Sequence, residues 1–244
     1  MKNITKSKKK IKSQDALRKV YSKIPGTKGC MENLEQCKAW CCRLQSPQLL
    51  YCEFTNTWAY VLKHWTVDAI VDLIGKALST YLSNKPTKGC IFWDSTTKLC
   101  RCHKTRPLAC RLYGIESDEE FKPKYERLKA LYKDNQEAVV MDQCKLVSTI
   151  NGCKLCKKDT DNWWNELKEV EQSVGIKKRD ITDEVGGSYR TFHDHILLHL
   201  FPEQMMENFT TVRTLGTPEE KKNVVDKYTA ALKGVIEKLA GGEK

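Results

Sequence analysis

From Val67 onward, apolar residues recur at Ile70, Val71, Ile74, Ala77, Leu78, Tyr81 and Leu82. That spacing marks one face of an α-helix, with Thr66 placed to cap its start and Pro86 lying just beyond its end. Ser117-Asp118-Glu119-Glu120 reads as a capping box that opens a second helix, continued by Tyr125, Leu128, Leu131 and Tyr132. Pro123 fits there only if it lies near the first turn, where its missing N–H costs little. A third helix is expected from about Thr160 to Val174, with Gly175 as its C′ residue. Near the end of the chain, Thr217-Pro218-Glu219-Glu220 combines an N-cap, a proline at the first helical position and a capping-box glutamate. Val224, Tyr228, Ala231, Leu232, Val235, Ile236 and Leu239 then form one apolar stripe, closed by Gly241. No segment alternates as a strand would. The expected fold is mainly α.

Cysteines interrupt this pattern in three runs: Cys30 to Cys52, Cys90 to Cys110, and Cys144 to Cys156. Between them lie the cysteine-free stretches 53–89 and 111–143, and the last 88 residues hold none. The picture is of helices around irregular, cysteine-rich metal-binding loops. Three regions are expected: a basic, mobile arm over 1–24, a cysteine-cluster metal-binding domain over 25–157, and a helical region over 158–244 packed on it.

Composition narrows the class. With 40% hydrophobic and 30% charged residues, no stretch approaches the run of about 18 apolar residues that a membrane span requires. No apolar segment follows the Lys-rich start, which points away from export and towards the cytoplasm. Thiols there stay reduced, so twelve cysteines read as metal ligands before disulfides. The net charge is +11, but residues 1–24 carry +8 of it, so the basic character belongs to the arm. Three four-thiolate zinc sites would bring the total down to +5.

The first run contains Cys37-Lys-Ala-Trp-Cys41-Cys42, with Cys30 upstream and Cys52 downstream. Adjacent side chains tend to point apart, so Cys41 and Cys42 are expected to serve different metals, to bridge two, or to divide into one ligand and one supporting thiol. The second run sets Cys90, Cys100, Cys102, His103 and Cys110 around Arg106-Pro107. Pro107 restricts both itself and Arg106, so the loop has fewer states to lose when a metal closes it. Arg106 and Arg111 could offset the charge of thiolates. In the third run, Cys144 precedes Cys153-x-x-Cys156, a spacing that presents two thiolates to one ion. Three ligands are one short of a structural zinc site, and Cys52, Cys102 or His103 is the natural fourth. His195 and His199, four apart on a predicted helix, share a face and could hold a metal, though packed core histidines are the plainer reading.

CxxxCC, a Cys-Ile-Phe segment and Cys-x₅-Arg-Pro-x-x-Cys-Arg-x-Tyr together resemble the YkgJ-type zinc- or iron-chelating cysteine-cluster family, over roughly Cys30 to Ile115. The resemblance implies that Cys37, Cys41, Cys42, Cys90, Cys100 and Cys110 are metal ligands, accompanied by Arg106, Pro107 and Arg111. Cys102-His103 departs from it, standing where the family usually has an apolar residue and Tyr. Flagellin lysine N-methylases are more distantly similar, which implies methyltransferase-like chemistry. Val185-Gly186-Gly187-Ser188 is too generic a nucleotide loop to carry that reading.

The leading expectation is a protein that chelates zinc or iron, as ions or as an iron–sulfur cluster. An iron–sulfur redox protein or enzyme is the first alternative. A nucleic-acid module using the basic arm ranks last, since Tyr21 is the arm's only aromatic residue. Metal ions, and a protein partner on the C-terminal helices, complete the expected partners.

Overall fold

The computed structural model describes residues 13–30, 34–37, 40–85, 88–176 and 188–241. In chain order these form α1 (13–22), β1 (Thr27–Lys28), α2 (Leu34–Cys37), α3 (Trp40–Leu44), β2 (Gln48–Leu49), α4 (Tyr51–His64) and α5 (Val67–Leu82). A 3₁₀ turn (His103–Thr105), α6 (Leu108–Leu112), α7 (Asp118–Leu131), β3 (Ser148–Thr149) and α8 (Lys157–Ser173) follow. The described chain ends with β4 (Arg190–Thr191), α9 (Phe192–Leu200), α10 (Glu203–Leu215) and α11 (Pro218–Gly241). The fold is mainly α. Its strands are two residues long and pair antiparallel, β1 with β3 and β2 with β4. No helix among the described residues is long and apolar enough to cross a membrane.

Local signals set several of these elements. Thr66 accepts from Ala69 N and α5 runs from Val67, as its stripe predicts. The box at the start of α11 closes from both sides, with Glu220 N donating to Thr217 Oγ1 (3.2 Å) and Thr217 N donating to the Glu220 carboxylate (2.7 Å). Gly175 takes φ +101 and donates its N–H to the Gln172 carbonyl, ending the helix as a C′ glycine does.

Other local signals are overridden. Ser117 is the N-cap of α7, but its hydroxyl meets no hydrogen-bond partner among the described residues. The glutamate of that box, Glu120, is engaged by Thr160 Oγ1 and Lys124 Nζ instead, so the box does not form. Pro123 falls in the second turn, leaving the Glu119 carbonyl without its helical donor. Helix α8 begins at Lys157, a few residues earlier than expected. On α11, Val224, Tyr228 and Leu232 pack on the core, but Val235 is 51% exposed. Pro86, residues 1–12 and the segment Val185 to Gly187 lie outside the described residues, as do the side chains of Ile236 and Leu239.

Two apolar cores share α4 as a wall. One face of α4 sends Phe54, Trp58 and Val61 into a core with Leu73, Ile74 and Leu78 of α5, Phe192 and Ile196 of α9, and Phe209 of α10. At its N-terminal end, Leu50 and Cys52 join Leu17 and Val20 of α1, Leu108 and Leu112 of α6, and Leu167 of α8. Region 158–244 is thereby divided, with α8 in the second core and α9 to α11 on the first. The basic segment 1–24 is divided as well. Its residues 13–22 are helical, and Leu17 and Val20 are buried at 1% and 4% exposure.

Candidate metal centre

Short elements between the two cores carry the cysteines. Helix α3 presents Cys41 and Cys42, whose Sγ atoms stand 3.9 Å apart. Adjacent positions on a helix are about 100° apart, yet these two thiols turn towards each other and meet at hydrogen-bond distance. Two thiolates sharing a tetrahedral zinc at about 2.3 Å would be separated by about 3.8 Å, so the pair already has the spacing of a tetrahedron's edge.

The second run is docked on α3. Cys90 N donates to the Cys42 carbonyl (2.7 Å), and Ser46 N to the Lys88 carbonyl (2.6 Å). Gly89 makes this approach possible, since a Cβ there would stand 2.4 Å from the Arg43 carbonyl oxygen. Asp94 Oδ1 then accepts from Thr96 and Thr97 N, turning the chain so that Trp93 bridges to Cys100 and Arg101 N donates to the Phe92 carbonyl (2.9 Å). Cys90 and Cys100 are thereby brought together at the base of one loop. Pro107 starts α6, whose Leu108 and Leu112, one helical turn apart, face the second core. Cys110, midway between them, is left on the opposite face.

Cys30, Cys41, Cys42, Cys90, Cys100, Cys102, Cys110 and Cys144 line a single cavity of about 490 Å³, and His103 lines it too. Gly114, at φ +87, lets the chain pass close to Cys144; a Cβ there would sit 3.0 Å from Cys144 Cβ. The side chain of Cys37, at the end of α2, lies outside the described residues.

Burial and mutual repulsion hold most of these thiols in the protonated form. Burial pushes Cys90 up to about 12, with the nearby Cys100 adding to the effect, and it raises Cys100, Cys102 and Cys110 as well. Cys41 goes the other way, down to about 7, because the Cys42 thiol donates to it; the Arg106 charge helps. Cys42, the donor of that hydrogen bond, is raised. The Arg106 guanidinium faces the cluster, with one nitrogen 3.8 Å from Cys30 Sγ, and its charge lowers Cys41, Cys100 and Cys110. Arg111 has another task. It donates to the carbonyls of Arg106 (2.8 Å) and Lys104 (3.2 Å) and stacks over the Tyr21 ring, fixing the loop.

The remaining candidates are elsewhere. Cys153 and Cys156 are exposed, with Cys156 Sγ donating to Asp159 (3.0 Å), so the third run splits and only Cys144 joins the cavity. Cys52 is walled off in the second core, where burial and Glu171 raise its thiol. His195 bonds the Leu49 carbonyl through Nε2 (2.9 Å) and stacks on Phe54, and His199 lies edge-on to Phe54 and Trp58. The shared face of these histidines therefore serves an aromatic core. No disulfide joins the described cysteines.

Two groups that hold the elements of the site, without lining it, carry no sequence signature. Glu53 and Glu171, at 1% and 0% exposure, satisfy the N-terminus of α4. Glu171 accepts from Tyr51 N and Cys52 N, and Glu53 from Leu50 N, Leu108 N and Tyr21 Oη. They orient α4 and α6, hence Cys110. The periodic placement of a Glu at position 53 looks like any polar helix residue; Tyr21 and Leu108, 32 and 55 positions away, give it its joining role.

Among the described residues, no three His, Cys, Asp or Glu side chains stand ready to hold a metal ion. The donor set nevertheless suits zinc or iron, being rich in soft sulfur donors and faced by the Arg106 guanidinium. No family model matches the chain, nor does any curated protein or solved structure.

Proposed function

We propose that this protein binds zinc or iron through the cysteine cluster, with Cys41, Cys42, Cys90, Cys100 and Cys110 as the principal ligands. Cys30, Cys102, Cys144 and His103, which line the same cavity, supply further donors, and the CxxxCC motif adds Cys37. The observation that carries this reading is convergence: thiols from all three runs line one cavity, against a guanidinium. The CxxxCC motif and its resemblance to the YkgJ-type family support it, and a cytoplasmic setting keeps the thiols reduced. Zinc would brace the loops, whereas an iron–sulfur cluster would supply electron-transfer chemistry. The chain's own contribution is to hold the sulfurs in a buried site and to offset their charge with Arg106.

Anaerobic purification, elemental analysis and a visible spectrum on one sample test the proposal. Stoichiometric metal is expected, colourless if zinc, brown with acid-labile sulfide if iron–sulfur. Cys41→Ser and Cys100→Ser should lose it, while the Cys153→Ser, Cys156→Ser double variant keeps it. A folded, reduced protein without bound metal refutes the reading.

A further inference from the structure

The cavity is much larger than an ion needs. About 490 Å³ falls within the roughly 300–1,000 Å³ of small-molecule sites, against about 30 Å³ for one water. Among the described residues, the lining contains no carboxylate, although Lys88, Lys98, Arg106 and Arg111 all contribute to it. Three of these cations are engaged. Arg106 faces the sulfurs, Arg111 braces the loop, and Lys98 lies over Trp93 and bonds the Ser95 carbonyl.

Lys88 differs. Its ammonium is half-buried, reaches only the Tyr81 carbonyl at 3.4 Å, and forms no ion pair among the described residues. Beside it in the wall is Ser46, at 9% exposure, whose hydroxyl meets no hydrogen-bond partner among the described residues. The Ser46 N–H bond to the Lys88 carbonyl keeps the two residues together. A buried hydroxyl without a partner is costly, and this one can rotate to donate. Leu128, Tyr132, Met141 and Tyr189 give the cavity an apolar and aromatic wall.

We propose that the cavity binds a small organic anion, a carboxylate or phosphate on an apolar body, with Lys88 and Ser46 holding the anionic group and Leu128, Tyr132, Met141 and Tyr189 receiving the body. The ligand would sit beside the thiol cluster, so that the cavity is a substrate or effector site as well as a metal centre. This does not rest on the metal reading. Metal content measured on the same sample lets the two fail separately.

The test is isothermal titration of the full-length, reduced protein with benzoate, phenyl phosphate and uncharged benzyl alcohol. At least one anion should bind at millimolar concentration or better, and benzyl alcohol about tenfold or more weaker. The tighter of the two anions identifies the headgroup. Lys88→Met should weaken that anion about tenfold or more. Ser46→Ala should also weaken it without lowering the thermal midpoint, since its hydroxyl has no partner to lose. The proposal is overturned if neither anion binds at about 10 mM, if the alcohol binds as well as the anions, or if both variants keep the parent's affinity.

Discussion

Glu53 offers the sharpest test of how the site is held. Its carboxylate, 1% exposed, accepts from Tyr21 Oη (2.6 Å) and Leu108 N (2.7 Å) at one oxygen and from Leu50 N (3.0 Å) at the other. Burial raises its pKa, while those same three donors pull it down. Glu53→Gln preserves the shape but replaces one acceptor by an NH₂ group. In its best orientation the amide oxygen keeps Tyr21 and Leu108, and the NH₂ faces the Leu50 N–H. Two buried donors are then unsatisfied, at about 1–3 kcal/mol each, so the variant should lose about 2–6 kcal/mol. Glu53→Ala strands all three donors and should lie at or above the upper end of that range. Tyr21→Phe removes only one charge-assisted bond, worth about 1.5–3 kcal/mol. Urea unfolding followed by circular dichroism, under reducing conditions and at fixed metal content, measures these differences, because bound metal shifts stability by itself. If Glu53→Gln falls within about 0.5 kcal/mol of the parent, the carboxylate is not what joins α1, α4 and α6.

Three further outcomes are expected. His195 is buried neutral, its pKa lowered by burial to about 4 from the usual 6.5. Its contribution is therefore complete above about pH 6.5, is lost as the pH falls to about 4, and amounts to at most about 3 kcal/mol; unfolding free energies of parent and His195→Gln that run parallel across this range would exclude it. Gly89→Ala places a methyl against the Arg43 carbonyl, should cost about 1–3 kcal/mol, and should speed the reaction of the cluster thiols with an aromatic disulfide reagent as α3 and Cys90 separate. Val224→Asp should destabilise by about 1–3 kcal/mol because Val224 packs on the first core, whereas Val235→Asp should stay within about 0.5 kcal/mol; equal effects in thermal melts would show that the apolar stripe of α11 is used along its whole length.

The elements legible from sequence are those whose signals are local. The cap at Thr66, the box at Thr217 to Glu220 and the glycine at Gly175 each involve partners within four residues, so their hydrogen bonds follow from the order of the chain. The apolar stripe of α5 is of the same kind, and the mainly α fold follows from such signals. Where a distant partner competes, local reading fails. Glu120 leaves the Ser117 box for Thr160, and Cys156 bonds Asp159 at the surface while Cys144 joins the cavity.

The sequence alone also nominated the thiols, because cysteine numbers and the CxxxCC spacing are properties of the chain. Only the tertiary structure decided which of them meet. Cys41, Cys90 and Cys110 converge because Gly89 admits the second run against α3 and because Leu108 and Leu112 commit one face of α6 to a core. The same folding sets Lys88 and Ser46 in one wall, carries Cys52 into the second core, and gives His195 and His199 to Phe54 and Trp58. Period and spacing describe neighbours within a helical turn. Desolvation, close backbone approach and the charge around a sulfur are set by residues dozens of positions away, and they come into being only when the two cores close on α4.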